Sequence, residues 1–168
     1  MVSVGSGYYH WRPTTPRLFW DRLPMAIGFM SLFAILIGEK INKEFGKFSL
    51  IPLLIVGAFS VLHWKYTEMI HSGDLRIYIL VQFGTMVATP LILFLFPSRY
   101  SLSEYYFLCL VFYIFAKVTE LLDEQIFHLT DNLVSGHTIK HLLSAVGIEF
   151  IVVMLLNRKS YKNVRLTL

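Results

Sequence analysis

The sequence predicts an all-α fold, a polytopic transmembrane helical bundle, on three observations. Of the 168 residues, 55% are hydrophobic and only 15% are charged. The apolar residues fall into runs of about 15 to 20, the length at which a helix crosses the hydrocarbon core of a bilayer. Turn-forming and interfacial aromatic residues separate these runs. We expect one membrane domain over residues 1–168, with five complete spans and the remnant of a further helix at the amino end.

The amino-terminal third of the chain is expected to contain a helix end, a connection and the first span. Residues 1–10 read as the last turns of a helix. Residues 11–20 contain two prolines and two threonines, which favour a short extended connection. Asp21 stands three residues before a proline, a pattern typical of a helix start. The first span is therefore predicted over about 23–38.

Polar segments divide the rest of the chain into four more predicted spans. A polar loop is expected at 39–49, a helix break at Ser72-Gly73-Asp74 in which Asp74 caps the next helix, and a polar connection at 123–134. The further spans are predicted at about 50–66, 76–96, 104–122 and 137–156, followed by a basic tail at 158–168.

The charge distribution limits the possible partners. The net charge is +4, but the basic residues are spread over loops and the tail instead of forming one patch. This spread gives no reason to expect a nucleic-acid partner, and it leaves membrane lipids as the expected surroundings. The excess of Lys and Arg in the tail predicts that the carboxyl terminus is cytoplasmic.

Two histidines at the start of the fifth span are the first candidate site. His137 and His141 are four residues apart, so their imidazoles project from the same face of a helix. Two rings placed in this way can bind one metal ion. The alternative is a pair of interfacial histidines bonded to the backbone or to lipid headgroups.

Counting the predicted spans brings three more polar residues to the same membrane face as this pair. His10 supplies a third nitrogen, and three histidines with an open fourth position are the ligand set of catalytic zinc. Asp21 is placed to accept a proton from a water molecule, and Ser6 to donate a hydrogen bond to an oxyanion. The structural alternatives are helix capping or pairing with Arg22 for Asp21, and close helix packing for Ser6.

The order of these motifs resembles that of a known family. Ser-x-x-x-His at Ser6 and His10, Asp21 within WDRLPM, and His-x-x-x-His at His137 and His141 are similar to the motifs of the alkaline ceramidases. Their wider superfamily of seven-span membrane hydrolases includes adiponectin-receptor-like proteins. The likeness continues through YYHWRPTTPRLFWDRLPM, GDLRIY, AKVTELLD and SGHTIKHL.

The resemblance implies a zinc-dependent amidase that hydrolyses ceramide-like lipids with metal-activated water. His10, His137 and His141 would be the Zn²⁺ ligands, Asp21 the orienting or basic group, and Ser6 the oxyanion partner. The chain departs from the family in having five spans and a helix remnant instead of seven spans, which is expected of a fragment or of a late start. The acidic calcium site of these ceramidases has no counterpart in the sequence. The alternatives are a receptor-like or structural protein with a structural zinc site, and an inactive truncated homologue.

Two charged residues lie near the predicted depth of the metal. Lys117 and Glu120 are three residues apart near the end of the fourth span. They can pair with each other across one helical turn, or Glu120 can accept a hydrogen bond from a ligand histidine. The ion pair is the favoured interpretation.

Overall fold

The computed structural model describes residues 1–161 and divides the chain into two compact units, Met1–Pro97 and Ser98–Leu168. The first unit contains α1 (Val2–Trp11), α2 (Thr15–Lys40), α3 (Lys43–Met69) and α4 (Arg76–Leu95). The second contains α5 (Tyr105–Leu121), α6 (Asp123–Leu129) and α7 (Gly136–Asn157). Within residues 1–161 the only other regular pairing is an isolated bridge between Tyr100 and Ser160. The all-α prediction is confirmed, whereas the prediction of one membrane domain concerns the assembly of both units and stays a prediction.

Several of these helices are long and apolar enough to cross a membrane. They are α2, α3, α4 and α7, and the count rises to five if α5 and α6, which meet at a bend of 77°, form one span. The predicted spans at 76–96 and 137–156 coincide with α4 and α7 to within one residue at each end. Four or five helices of this length and composition are consistent with a multi-pass membrane protein. Residues 162–168, most of the predicted basic tail, lie outside the described range.

The predicted extended connection at 11–20 is wrong. Only residues 12–14 lie outside helices, because α1 includes Trp11 and α2 already begins at Thr15. Pro16 lies in the first turn of α2, where a missing N–H costs no intrahelical hydrogen bond. The N-cap of α2 is Thr14, and Asp21 is the seventh residue of the helix. The helix-start interpretation of Asp21 is wrong for the same reason.

The predicted loop at 39–49 is also wrong. The connection consists of Ile41 and Asn42, since α2 runs to Lys40 and α3 begins at Lys43. The Asn42 side chain accepts hydrogen bonds from the backbone N–H groups of Glu44 and Phe45 at 2.9 and 3.0 Å. This cap satisfies two of the donors that a new helix leaves unpaired, so a two-residue turn is sufficient.

Two further connections contain more order than the sequence predicts. The polar segment 123–134 includes α6. Before α4, the Asp74 carboxylate accepts from the backbone N–H of Arg76 at 2.9 Å, although the N-cap itself is Leu75. The Arg76 guanidinium also donates to Asp74, and this hydrogen bond holds the pKa of the carboxyl well below its usual range. Asp74 thus stabilises the start of α4, as predicted, from the position before the N-cap.

The core of the first unit forms around α2, which packs against the other three helices of that unit. Seven buried residues from α2, α3 and α4 form one apolar cluster: Phe19, Ala26, Met30, Val61, Trp64, Tyr78 and Val81. In the second unit, α5 and α7 pack lengthwise, and Phe150 of α7 lies between Tyr105 and Phe112 of α5 with ring centroids 5.7 and 5.4 Å apart. Each unit is therefore held by its own helix pairings.

Helix α1 packs against α2 at the backbone carbonyl of Trp20, which lacks its helical hydrogen bond because of a proline. Pro24 has no N–H to donate to the carbonyl of Trp20 four residues earlier. Gly5 lies against this carbonyl so closely that a Cβ atom on Gly5 would be 2.0 Å from the Trp20 oxygen. Only a glycine fits here, and the contact brings the segment that carries Ser6 next to the segment that carries Asp21.

We expect Gly5→Ala to separate α1 from α2 and to lower the free energy of unfolding by about 1–3 kcal/mol, the usual cost of overpacking. Gly7→Ala is the matched control, because a Cβ on Gly7 meets nothing within 4 Å. Both substitutions gain the same helix propensity, so their difference isolates the contact. Unfolding of both variants in detergent measures it, and equal stabilities would contradict the packing.

Candidate metal centre

The first turn of α7 is fixed by two side-chain caps. Ser135, the N-cap, accepts a hydrogen bond from the backbone N–H of Thr138 at 3.1 Å. The carboxylate of Asp123, the first residue of α6, accepts from the backbone N–H of His137 at 2.7 Å. The Thr138 N–H is shared between the hydroxyl and the backbone carbonyl of Ser135, each at 3.1 Å. Because the first N–H groups of a helix lack the usual acceptor four residues earlier, these caps stabilise the helix end and fix the backbone position of His137.

Gly136 allows this turn to lie directly on α5 and α6. A Cβ atom at Gly136 would be 2.1 Å from the carbonyl oxygen of Thr119 and 2.8 Å from the Cα of Asp123. No other residue fits without moving a backbone. The close approach places His137, the next residue, beside the carboxyl-terminal turn of α5.

His137 and His141 face each other with their Nε2 atoms 3.0 Å apart. Their ring centroids are 4.8 Å apart and their planes are inclined by 73°. Two nitrogens bound tetrahedrally at 2.0–2.1 Å from one zinc ion would be about 3.3 Å apart. His137 is half-buried and His141 is exposed. The pair therefore fits a shared metal ion after a shift of about 0.3 Å.

A chain of charged side chains leads from α5 to His137. Glu120 accepts from Lys117 at 2.7 Å, which confirms the predicted ion pair, and its other oxygen accepts from Lys140 at 2.9 Å. The Lys140 ammonium is also 3.2 Å from Nδ1 of His137. Glu120 thus reaches the histidine through Lys140, whereas the sequence-based alternative had it accept directly from the ring.

The other three predicted site residues belong to the first unit. Ser6 is buried on α1, His10 is exposed near the end of the same helix with its ring 4.9 Å from that of Tyr9, and Asp21 is half-buried on α2. The contact of Gly5 with Trp20 brings the α1 and α2 segments of Ser6 and Asp21 together. That His10 completes a ligand set with the pair in the second unit stays a prediction from the sequence.

Arg22 fixes the helix that carries Asp21. Its guanidinium lies 4.2 Å from the ring centroid of Trp64 on α3 and 5.3 Å from that of Tyr78 on α4. A guanidinium over aromatic faces is attracted by their electron density, more strongly where water is excluded. The Arg22 side chain is therefore directed to α3 and α4.

The sequence reading missed two residues that contact His137. Lys140 follows His137 by three positions, a spacing at which helical side chains meet, so it was visible within HTIKH. Asp123 had no such signal, because it lies fourteen residues before His137 and reaches it only through the turn between α6 and α7.

Comparison with known proteins adds no relative. No family model matches the chain, and no curated protein and no solved structure matches it either. The resemblance to the alkaline ceramidases stays a prediction from the motifs.

Removing the carboxylate that caps His137 should loosen the start of α7. We expect Asp123→Ala to lower the free energy of local opening there by about 1 kcal/mol, the usual cost of losing a cap. Asp123→Asn keeps an acceptor oxygen and should retain most of the protection. Hydrogen exchange at the His137 amide measures this opening, and unchanged exchange in the alanine variant would contradict the cap.

Proposed function

We propose that this chain is a membrane-embedded zinc-dependent amidase that hydrolyses the amide bond of ceramide-like lipids. The main support for the proposal is the 3.0 Å distance between the Nε2 atoms of His137 and His141. Both residues lie at the start of α7, a helix apolar enough to span a membrane. The order of Ser6, His10, Asp21 and the histidine pair supports it through the resemblance to the alkaline ceramidases.

In this proposal the pair and His10 hold the zinc ion. When bound by three histidines, zinc lowers the pKa of a water molecule to about 7 and polarises a carbonyl group. Three protein ligands leave one position open, as hydrolysis requires. Asp123 and Gly136 contribute by fixing the backbone at the first turn of α7.

Asp21 and Ser6 take the two remaining roles. The Asp21 carboxylate accepts the proton of the attacking water, and the Ser6 hydroxyl donates a hydrogen bond to the oxygen that becomes negative when the amide carbonyl is attacked. Both roles need fixed side chains. The contacts of the Arg22 guanidinium with the rings of Trp64 and Tyr78 hold α2, and the contact of Gly5 with Trp20 holds α1 against it.

A substrate with a hydrocarbon chain agrees with the surroundings. The first unit has an open groove of about 270 Å³ between α2, α3 and α4, lined mainly by apolar side chains such as Met30, Phe33 and Leu53. An apolar groove favours the hydrocarbon part of a ligand. The lipid would thus reach the site from within the bilayer.

The charges at the helix ends support an orientation of the chain in the membrane. Lys43 and Lys47 are exposed at the start of α3, and Arg158 and Lys159 follow α7. Basic residues next to spans favour the cytoplasmic side. We therefore place the carboxyl-terminal tail in the cytoplasm.

Zinc analysis tests the metal site. Purified full-length protein should contain about one zinc ion per chain, and the double variant His137→Ala, His141→Ala should contain none, because both ligands on α7 are lost. His128→Ala is the matched control, since His128 is an exposed histidine of the same unit and should leave the zinc in place. Zinc-free wild type, or zinc retained in the double variant, would exclude this site.

Asp21→Asn separates catalysis from a structural zinc site. The amide keeps the size of the side chain but accepts protons poorly, so we expect zinc content and thermal stability to be preserved while hydrolysis of a short-chain fluorescent ceramide falls at least about 100-fold. Active wild type with an equally active Asp21→Asn variant would remove Asp21 from the mechanism. Zinc-loaded wild type that is inactive on ceramide and on related lipid amides would favour a receptor-like or structural role.

A further inference from the structure

The end of α5 and the start of α7 lie side by side. The two helices pack lengthwise, and Gly147 of α7 faces Cys109 of α5. Gly136, at the start of α7, faces Thr119 near the end of α5, so the pair is antiparallel. Helix α7 is long and apolar enough to cross a membrane, and α5 with 17 residues reaches the shortest length that does so. The segment 122–135, which joins these two ends, then lies at one face of the bilayer.

Helix α6 turns away from α5 instead of extending it. The two helices meet at a bend of 77°. Where α5 runs across a membrane, α6 therefore runs nearly parallel to the membrane surface. Asp123, the first residue of α6, accepts a hydrogen bond from the backbone N–H of His137, so α6 is fixed to the first turn of α7. A helix in this position lies where headgroups meet acyl chains.

The two sides of α6 differ in polarity. At about 100° per residue, Leu122, Ile126 and Leu129 share one side of the helix. Glu124 and His128 lie nearly opposite, 4.0 Å apart and largely exposed. Leu129 is 84% exposed, so part of the apolar side is not covered by the protein. An exposed apolar side opposite a charged side is typical of a helix in the membrane interface.

The turn after α6 presents a further leucine. Leu133 is 83% exposed. Thr130 closes this turn, because its hydroxyl donates to the carbonyl of Val134 at 2.8 Å and accepts from the Val134 N–H at 3.1 Å. Asp131 and Asn132 adopt the left-handed conformation, which these two residue types tolerate. Leu133 is therefore held outward by a closed turn.

The apolar side of α6 continues an apolar row on α5. Exposed apolar side chains recur along α5 every three or four residues, as on one face of a helix: Val111, Ile114, Phe115, Val118 and Leu121. Leu121 is 81% exposed and is followed directly by Leu122, where the apolar side of α6 begins. Acyl chains that cover the α5 row also reach this side of α6. The continuity favours lipid as its occupant.

We propose that residues 122–134 form an interfacial membrane anchor, in which Leu129 and Leu133 insert among the acyl chains of one leaflet. Glu124 and His128 face headgroups and water. Because Asp123 holds the His137 backbone, the depth of this anchor also sets the depth of the first turn of α7. The inference rests on membrane spans at α5 and α7 and is independent of the zinc site.

Spin labels test the anchor in the full-length protein. Cys109 is the single cysteine of the chain, so Cys109→Ala gives a background for one labelled cysteine at a time. Leu129→Cys and Leu133→Cys report on the two leucines, and Glu124→Cys, on the charged side of the same helix, is the matched control. Phe115→Cys, in the α5 row, is the acyl-chain reference. In phosphatidylcholine vesicles, EPR power saturation measures collisions of each label with oxygen, which is enriched among acyl chains, and with a water-soluble nickel chelate.

We expect the labels of Leu129→Cys and Leu133→Cys to collide mainly with oxygen, at a depth of about 5–10 Å, and that of Glu124→Cys mainly with nickel. Nickel collisions at both leucine positions as frequent as in Glu124→Cys would overturn the anchor. Few collisions of either kind would also overturn it, because protein would then cover the leucines. Nickel collisions in Phe115→Cys would place α5 outside the membrane and remove the basis of the anchor, whereas zinc content tests the proposed metal site separately.

A second measurement needs no substitution. Wild-type protein is irradiated in vesicles that contain a phosphatidylcholine with a diazirine on its acyl chain, and mass spectrometry locates the lipid adducts. Adducts within residues 129–133 support the anchor. Adducts on α5 and α7 with none within 129–133 would overturn it.

Discussion

The candidate site depends on glycines that lie against backbone carbonyls. Gly136 meets the carbonyl of Thr119 and Gly5 that of Trp20, and in both places a Cβ atom would lie within about 2 Å of the oxygen. The residue after each glycine is a candidate for chemistry, His137 in one unit and Ser6 in the other. In membrane helices such close approach takes the place of the hydrophobic drive that lipid tails cannot supply. In each unit, a glycine without a side chain allows close helix packing, and this packing positions the polar residue that follows it.

Much of the fold was accessible from composition and hydropathy. Helices α4 and α7 begin and end where the apolar runs do, because lipid requires every backbone group of a span to be paired within it. The errors lie where polar residues continue a helix beyond its apolar part. Lys43 and Lys47 belong to the first turns of α3, and the cap by Asn42 made a long loop unnecessary. Pro16 favoured the wrong prediction of an extended connection, because a proline in the first turn of a helix is compatible with helix.

The site was less accessible than the fold. The spacing of His137 and His141 was sufficient to place both rings on one face, and the structure brings their Nε2 atoms together. The roles of their neighbours depend on contacts between helices. Asp123 reaches the His137 backbone only because the chain bends by 77° after α5 and then returns, and no local pattern specifies that bend. Glu120 was correctly paired with Lys117 from spacing, but its second partner lies on another helix.

The charged residues of α2 delimit an uncharged segment whose length can be compared with the thickness of a bilayer core. Arg22 and Glu39 enclose 16 uncharged residues, and the 17 steps between them correspond to about 26 Å of helix, less than the roughly 30 Å of a typical hydrocarbon core. A shorter apolar length favours local thinning of the membrane around the helix. The aromatic rings that hold Arg22 make this mismatch tolerable by covering the charge. Asp21 would then lie at the boundary between headgroups and acyl chains.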